Sequence, residues 1–199
     1  MPTKARKAKI VRKTKETQIT LELNLDGSGN GSVQTPLGFM NHMLQALAKH
    51  AMFDLSVQAR GDVEIDAHHT VEDLGLVLGE ALGKALGDKK GISRFGEATV
   101  PMDEALALAV VDLSGRPFLK YEAPIPEYER WEFDVNLVEE FLRAFTTTAK
   151  LTLHLRLLAG SNYHHCVEAL FKALARALRQ AVARDPRQKG VPSSKGHLA

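Results

Sequence analysis

The chain has 199 residues, of which 44% are hydrophobic and 25% are charged, a composition typical of a globular protein with a substantial core. No run approaches the roughly 18 apolar residues that a membrane-spanning helix needs. The basic start MPTKARKAKIVRK lacks the apolar stretch of a secretory signal. A net charge of +2 is too small to indicate nucleic-acid binding by itself, and the single cysteine excludes an internal disulfide. We therefore expect a cytoplasmic protein that binds neither membrane nor nucleic acid.

The first elements follow one another in the order hairpin, helix, strand, helix. Residues 16–35 alternate between apolar and polar side chains around Asp26-Gly27, which predicts two strands joined by a hairpin turn. Residues 37–51 have the apolar spacing of a helix, and residues 54–60 resemble a strand. A second helix is expected to begin at the pair His68-His69.

The same order returns in the second part of the chain. A hairpin is predicted over residues 105–123, a helix over 135–150 and a strand over 151–160. The last helix begins at a second pair, His164-His165, and both pairs belong to the motif His-His-x-x-Glu. Similarity over four consecutive elements indicates an internal duplication.

The duplication predicts an α/β (α+β) two-layer sandwich, built from two strand-strand-helix-strand-helix halves that pack about a pseudo-two-fold axis. The predicted halves are residues 10–92 and 93–184, followed by a C-terminal tail, residues 185–199. Residues 1–9 are expected to be disordered. Positive side chains are concentrated at both ends, and they are interpreted either as solvated tails or as a tail that closes over an anionic ligand.

Two copies of His-His-x-x-Glu favour metal binding, because imidazole and carboxylate groups suit manganese, iron or zinc. Helical residues three apart share a face, which predicts two chelating pairs: His69 with Glu72, and His165 with Glu168. Adjacent helical residues diverge by about 100°, so His68 and His164 are each expected to reach the other pair's ion. The two contributions to each site come from one subunit or from two.

The repeat also suggests a fourth ligand for each ion. His42, on the helix before the first motif, completes one set, and Glu140 holds the related position before the second. The alternative for Glu140 is an ordinary exposed helix glutamate. His154 has no histidine counterpart in the first half, which favours a structural hydrogen bond. Cys166, where the first motif has Thr70, is expected to be a buried, inert thiol.

Eight phrases carry a family resemblance that covers nearly the whole chain beyond the first ten residues. In order, they are RKTKET, GFMNHMLQALAKH, DAHHTVED, GISRFG, PMDEAL, DLSGRP, LLAGSNYHHCVEALFKALARALRQA and GVPSSKG. Together they closely resemble the imidazole glycerol-phosphate dehydratase family of histidine biosynthesis. The resemblance implies two Mn²⁺ ions per active site, with sites formed where subunits of a large cage-like homo-oligomer meet.

The resemblance also implies the ligand sets. One ion would be held by His42, His69, Glu72 and His164, and the other by His68, Glu140, His165 and Glu168. These sets agree with the pairing expected from helix geometry. Some members of the family carry histidine at the position of Glu140, which leaves the fourth ligand of the second ion open.

The implied reaction is dehydration of D-erythro-imidazole glycerol phosphate to imidazole acetol phosphate. The proton to be removed lies on a chain carbon that is not adjacent to a carbonyl group, so base catalysis alone is inadequate. Two metals that stabilise the ring as an imidazolate would favour expulsion of hydroxide. The product of that step would be a diazafulvene-like intermediate, which gives an enol and then the ketone.

Roles for individual residues follow from the same resemblance. Glu16 is the candidate for proton transfer, with Glu72 and Glu168 as alternatives. The residues expected to contact the phosphate are Arg94, Arg116, Lys172, Ser193, Ser194 and Lys195. Other residues expected to line the substrate site are Glu16, His42, His50, His68, His69 and His164.

Three other functions are less consistent with the sequence. A two-metal hydrolase usually shares bridging carboxylates between its ions, and the chain has no aspartate-rich cluster. A metal-storage protein would leave Arg94, Arg116 and the PSSK tail without a purpose. Nucleic-acid binding lacks a recognisable module.

Overall fold

A computed structural model describes residues 5–125 and 133–198. These residues form eight strands and four helices. The elements, in chain order, are β1 (Lys7–Lys13), β2 (Thr17–Asn24), β3 (Gly31–Gln34), α1 (Gly38–Ala51), β4 (Asp54–Gly61), α2 (His68–Leu86), β5 (Phe95–Met102), β6 (Ala105–Asp112), β7 (Phe118–Glu122), α3 (Asn136–Ala149), β8 (Thr152–Ala159) and α4 (Tyr163–Val182).

The strands form two four-stranded sheets with the same internal order. The first sheet runs β1-β2-β4-β3 and the second runs β5-β6-β8-β7. In each sheet three strands are antiparallel and the fourth, β3 or β7, lies parallel to its neighbour. This identity of order confirms the predicted duplication and the α+β sandwich.

Both predicted hairpins are wrong. Strand β2 pairs with β1 and β4, so neither of its edges is left for β3. Strand β3 instead pairs with β4 in parallel, and α1 supplies the crossover that a parallel connection needs. The loop after Asp26-Gly27 does not turn back on β2; it folds around Asp54, whose Oδ1 accepts hydrogen bonds from the backbone of Ser28 and Asn30.

The observed hairpins are β1–β2 and β5–β6. Their first strands were missing from the predicted pattern, and β1 begins at Lys7. The expectation that residues 1–9 are disordered is therefore wrong for residues 7–9, while residues 1–4 lie outside the described part of the chain.

The helices cover one face of each sheet. In β2 the side chains of Ile19, Leu21 and Leu23 are buried beneath them. In β6 the corresponding positions are small, including Ala107 and Ala109, and α4 packs directly on β5 and β6. Small side chains on that face let α4 lie close to the sheet.

The two halves exchange helix contacts reciprocally. Helix α1 of the first half packs on α4 of the second, and α3 of the second packs on α2 of the first. The hydroxyl of Thr148 on α3 donates to the carbonyl of Leu76 on α2 over 2.9 Å. This exchange is the relation expected of halves that face each other about a pseudo-two-fold axis.

Gly79 is required by the close approach of α2 and α3. A Cβ at this position would overlap the Thr148 hydroxyl and the carbonyl of Phe145, whereas a Cβ at Gly83 would have its nearest contact at 3.8 Å. We expect Gly79→Ala to lower the free energy of unfolding by about 1–3 kcal/mol through overpacking. Gly83→Ala, one turn later, should raise it by about 0.5–1 kcal/mol through helix propensity. Thermal and urea unfolding measure both, and equal effects would contradict the packing described.

Candidate active site

His42, His164 and Glu168 form a cluster at the contact between α1 and α4. Their potential ligand atoms all lie within 4.8 Å of one another. Nε2 of His42 lies 3.2 Å from Oε2 of Glu168, and Nε2 of His164 lies 3.1 Å from the same oxygen. His164 and Glu168 are four residues apart and therefore share a face of α4, while His42 comes from the other half of the chain.

Glu168 is buried at the centre of this cluster, with 7% of its surface exposed. Its other oxygen, Oε1, lies 2.6 Å from Nζ of Lys172, one turn further along α4. Burial by itself would raise the pKa of Glu168, but the hydrogen bonds from Lys172 and His42 outweigh it and lower the pKa to about 2. Glu168 is therefore a carboxylate at neutral pH.

His165 does not share a site with Glu168 within the chain, although helix geometry allowed that pair. Its Nδ1 lies 2.8 Å from Oε2 of Glu104, in the turn between β5 and β6. The hydrogen bond with Glu104 raises the pKa of His165. Spacings of three and four residues both place side chains on one helix face, and Glu168 takes the His164 side, where Lys172 offers a positive charge.

The first motif lies at the start of α2. Nδ1 of His69 is 3.0 Å from Oδ2 of Asp62, and this hydrogen bond raises the pKa of His69. The rings of His68 and His69 stand nearly perpendicular, 6.2 Å apart. Glu72 is half-buried one turn further along α2. Among the residues described, only His42, His164 and Glu168 form a group of three potential metal ligands.

Five of the six residues predicted to contact phosphate line one pocket of about 230 Å³. The pocket is lined by Arg94, Arg116, Ser193, Ser194, Lys195, His197 and Leu198. Lys172, the sixth predicted contact, pairs with Glu168 instead. The pocket lies between the residues that precede β5 and β7 and the C-terminal tail.

Arg94 connects this pocket to the fold. Its Nε and Nη2 donate to the two carboxylate oxygens of Asp112 at 2.7 and 3.1 Å, a paired arrangement that fixes the plane of the guanidinium. Its Nη1 donates to the carbonyl of Pro192 over 2.8 Å, which holds the tail. The tail is also held by a backbone hydrogen bond from Gly91 to the carbonyl of Gly190.

Two other predicted site residues are Glu16 and His50. Glu16 is exposed in the turn between β1 and β2 and, with Arg60 and Asp62, lines a surface pocket of about 340 Å³. His50 is half-buried on α1; burial, followed by the charges of Lys172 and Arg176, lowers its pKa.

Three further residues singled out in the sequence are Glu140, His154 and Cys166. Glu140 lies 4.0 Å from Nε of Arg143 on the same helix. The ring of His154 lies 5.7 Å from that of Phe118, and within the described part of the chain this aromatic contact takes the place of the expected hydrogen bond. Cys166 is fully buried, and burial raises the pKa of its thiol, as expected of an inert cysteine.

Asp62, Glu104 and Asp112 were not identified as functional residues from the sequence. All three act through another side chain, and such partners are set by tertiary contacts. One signal was available for Glu104, because it stands directly before β6 as Glu16 stands directly before β2.

The donors of the cluster fit a divalent transition metal. Two imidazole nitrogens and one carboxylate oxygen converge, and this mixture suits manganese, iron or zinc. A buried carboxylate fixed by a lysine is also already ionised, as a metal ligand must be.

Two solved structures share this duplicated fold. Imidazoleglycerol-phosphate dehydratase from Staphylococcus aureus superposes with a TM-score of 0.81 at 39% identity, over 90% of this chain and 99% of that one. The enzyme of that name from Pyrococcus furiosus, in complex with (S)-C348, gives 0.81 at 37% identity, over 95% and 100%. These likenesses place the chain in a class of hydro-lyases built on a duplicated α+β sandwich.

Sequence comparison identifies the family. The family model for imidazoleglycerol-phosphate dehydratase matches residues 35–178. A relative of that name from Geobacter metallireducens is 54% identical over 98% of this chain and 100% of its own length. One from Thermoanaerobacter pseudethanolicus is 55% identical over 97% and 100%. The chain belongs to the imidazoleglycerol-phosphate dehydratase family. No helix in the described part of the chain is long and apolar enough to cross a membrane.

Replacing Lys172 tests the electrostatics of the cluster. Lys172→Met removes the cation beside buried Glu168, and we expect it to lower the free energy of unfolding by about 1–3 kcal/mol at neutral pH. Because the pKa of Glu168 is depressed on folding, the stabilisation is complete above the ordinary carboxyl pKa of 4.5 and is lost as pH falls toward about 2. The difference between the two proteins should therefore vanish in acid.

Lys84→Met is the matched control for that experiment. Lys84 pairs with Glu80 at the same helical spacing, but both side chains are exposed. Replacing Lys84 should lower the free energy of unfolding by about 0.5 kcal/mol or less. Thermal unfolding as a function of pH measures both variants, and an equal, pH-independent loss would contradict the role of Lys172.

Proposed function

We propose that this protein dehydrates D-erythro-imidazole glycerol phosphate to imidazole acetol phosphate in histidine biosynthesis, with two manganese ions in each active site. Membership of the dehydratase family supports the reaction. The observation that carries the metal dependence is the convergence of His42, His164 and Glu168 across the two halves. We also infer a cytoplasmic location, which the single, buried, unpaired cysteine favours.

The proposed ligand sets remain those of the sequence prediction. They place His42, His69, Glu72 and His164 on one ion and His68, Glu140, His165 and Glu168 on the other. In the chain, Glu168 lies with His42 and His164, so its assignment to the second ion requires its side chain to exchange partners when metal binds.

Each proposed set also contains residues that one chain does not bring together. His69 lies beside Asp62, and the single ligand group formed by the described residues contains nothing from the first motif. A second copy of the chain must then supply the missing donors. This supports active sites at subunit interfaces, within a cage-like homo-oligomer.

Bound manganese would supply positive charge that stabilises the imidazole ring after the ring has lost its N–H proton. The near-equivalent motifs suit the two nitrogens of such a ring, because each motif offers its own histidines and glutamate. Such a ring would favour loss of hydroxide from the carbon attached to it, which gives the diazafulvene-like intermediate, and removal of the proton from the next chain carbon would then give the enol. This matching of two motifs to two ring nitrogens gives the duplication a chemical purpose.

The protein's own side chains would bind the substrate and move its protons. Arg94 and Arg116, with Lys195 and two serines, form a cationic pocket of a size and charge suited to a phosphate group. Asp112 holds Arg94 in plane, and Arg94 holds the tail, so phosphate binding and tail closure are coupled. Glu16 is exposed on the same side as His69, where a carboxylate can accept or return a proton.

Substrate turnover by metal-stripped protein tests this proposal. We expect no imidazole acetol phosphate before manganese is added and steady formation afterwards, measured by following the product directly. Magnesium, which favours oxygen ligands, is the control and should restore little activity. Product formation without added metal would contradict the metal requirement. Failure to form product with manganese bound would contradict the dehydratase assignment.

A further inference from the structure

The second histidine of each motif carries a carboxylate on the same ring nitrogen. Oδ2 of Asp62 lies 3.0 Å from Nδ1 of His69, and Oε2 of Glu104 lies 2.8 Å from Nδ1 of His165. The two carboxylates come from different places in the repeat. Asp62 belongs to the loop between β4 and α2, and Glu104 belongs to the turn between β5 and β6.

These contacts fix which nitrogen of each ring is free. An ionised carboxylate can only accept a hydrogen bond, so Nδ1 must carry the hydrogen. In the neutral ring the lone pair then resides on Nε2, the nitrogen left for a metal or a substrate. In His165 this nitrogen faces Oδ2 of exposed Asp103 at 3.7 Å, which is beyond hydrogen-bond distance. A carboxylate behind a ligating imidazole also orients the ring and increases its basicity.

Glu104 fixes more than one ring. Its Oε1 accepts hydrogen bonds from the backbone amides of Ser161 and Asn162, at 3.1 and 2.7 Å. The side chain of Asn162 in turn accepts from the amides of His164 and His165 and caps α4. The hydrogen bond with His165, followed by those from the backbone amides of Asn162 and Ser161, lowers the pKa of Glu104 to about 2. Both oxygens of Glu104 are therefore committed.

Asp62 has a simpler task. Its Oδ2 contacts His69, while its Oδ1 is buried without a hydrogen-bond partner in the described structure. The side chain of Asp62 therefore contacts His69 alone among the described residues, whereas Glu104 contacts both His165 and the backbone amides before α4.

The repeat explains why the two carboxylates come from different elements. Glu16 occupies the position of Glu104, since each directly precedes the buried first residue of the second strand, Thr17 or Ala105. Glu104 holds His165, but Asp62 holds His69. Glu16 is consequently left exposed near His69, and the described residues show no hydrogen bond from its side chain.

We propose that Asp62 and Glu104 are positioning residues that keep Nε2 of His69 and His165 free for the metal, and that Asp62 releases Glu16 for proton transfer. The metal part of this inference rests on the proposed function. The ring tautomers do not, because they exist in metal-free protein.

Two charge-matched substitutions separate positioning from simple electrostatics. In Glu104→Gln the single oxygen remains with the backbone amides, so the amide NH₂ faces Nδ1 and forces the hydrogen onto Nε2. In Asp62→Asn the amide nitrogen can occupy the unpartnered Oδ1 position, and the oxygen continues to accept from Nδ1. Glu97→Gln, an exposed carboxylate on the same hairpin as Glu104, is the control.

The tautomers can be read by magic-angle-spinning NMR of the metal-free, histidine-labelled assembly at alkaline pH, where both rings are neutral. Spectra of His69→Gln and His165→Gln assign the signals. We expect hydrogen on Nδ1 in both rings of the unmodified protein, in Asp62→Asn and in the control. Only Glu104→Gln should transfer the hydrogen of His165 to Nε2.

Manganese affinity, measured from the EPR signal of free Mn²⁺, gives the second readout. Glu104→Gln should weaken binding by about 10–100-fold, whereas Asp62→Asn and the control should remain close to the unmodified protein. Hydrogen on Nε2 of His165 in the unmodified protein, or equal losses in the two charge-matched variants, would overturn the positioning role. Expected tautomers with no manganese binding in the unmodified protein would instead contradict the proposed function.

Discussion

The packing of α1 against α4 brings His42 from the first half of the chain to Glu168 in the second. Glu168 is buried, and a buried carboxylate is stable only when cations and hydrogen-bond donors surround it. Lys172, His42 and His164 supply them. The contact that joins the halves is therefore the contact that builds the ligand cluster, and neither half could form it alone.

The helices and the duplication were predictable because apolar spacing and the repeated motif are local properties of the sequence. Strand pairing was not. Alternation shows that β2 and β3 are strands, but a neighbour is chosen by the whole sheet, in which β1 and β4 occupy both edges of β2. The same limit applies to the site. Helix geometry allowed Glu168 to join either histidine, and Lys172 and Glu104, on which the choice depends, act through tertiary contacts.

The pocket that we propose binds phosphate was predicted from the family resemblance rather than from any residue pattern. Arg94 lies far in sequence from the tail that it holds, and GVPSSKG by itself reads equally well as a flexible terminus. The duplication has also diverged in a way that matters for chemistry. Glu104 accepts hydrogen bonds from Ser161 and Asn162 and contacts His165, whereas its counterpart Glu16 is exposed and the first half uses Asp62 of the β4–α2 loop to contact His69. The two copies of a repeated glutamate therefore have different surroundings.

We propose that each active site combines the first motif of one subunit with the second motif of another. This sharing is tested most directly by co-expressing His69→Gln and His164→Gln chains with different affinity tags and purifying the mixed assemblies. Each variant alone should be inactive. Mixed assemblies should recover dehydratase activity, because some interfaces pair an intact His69 with an intact His164. Mixed assemblies that form but show no activity above that of the separate variants would contradict a shared site.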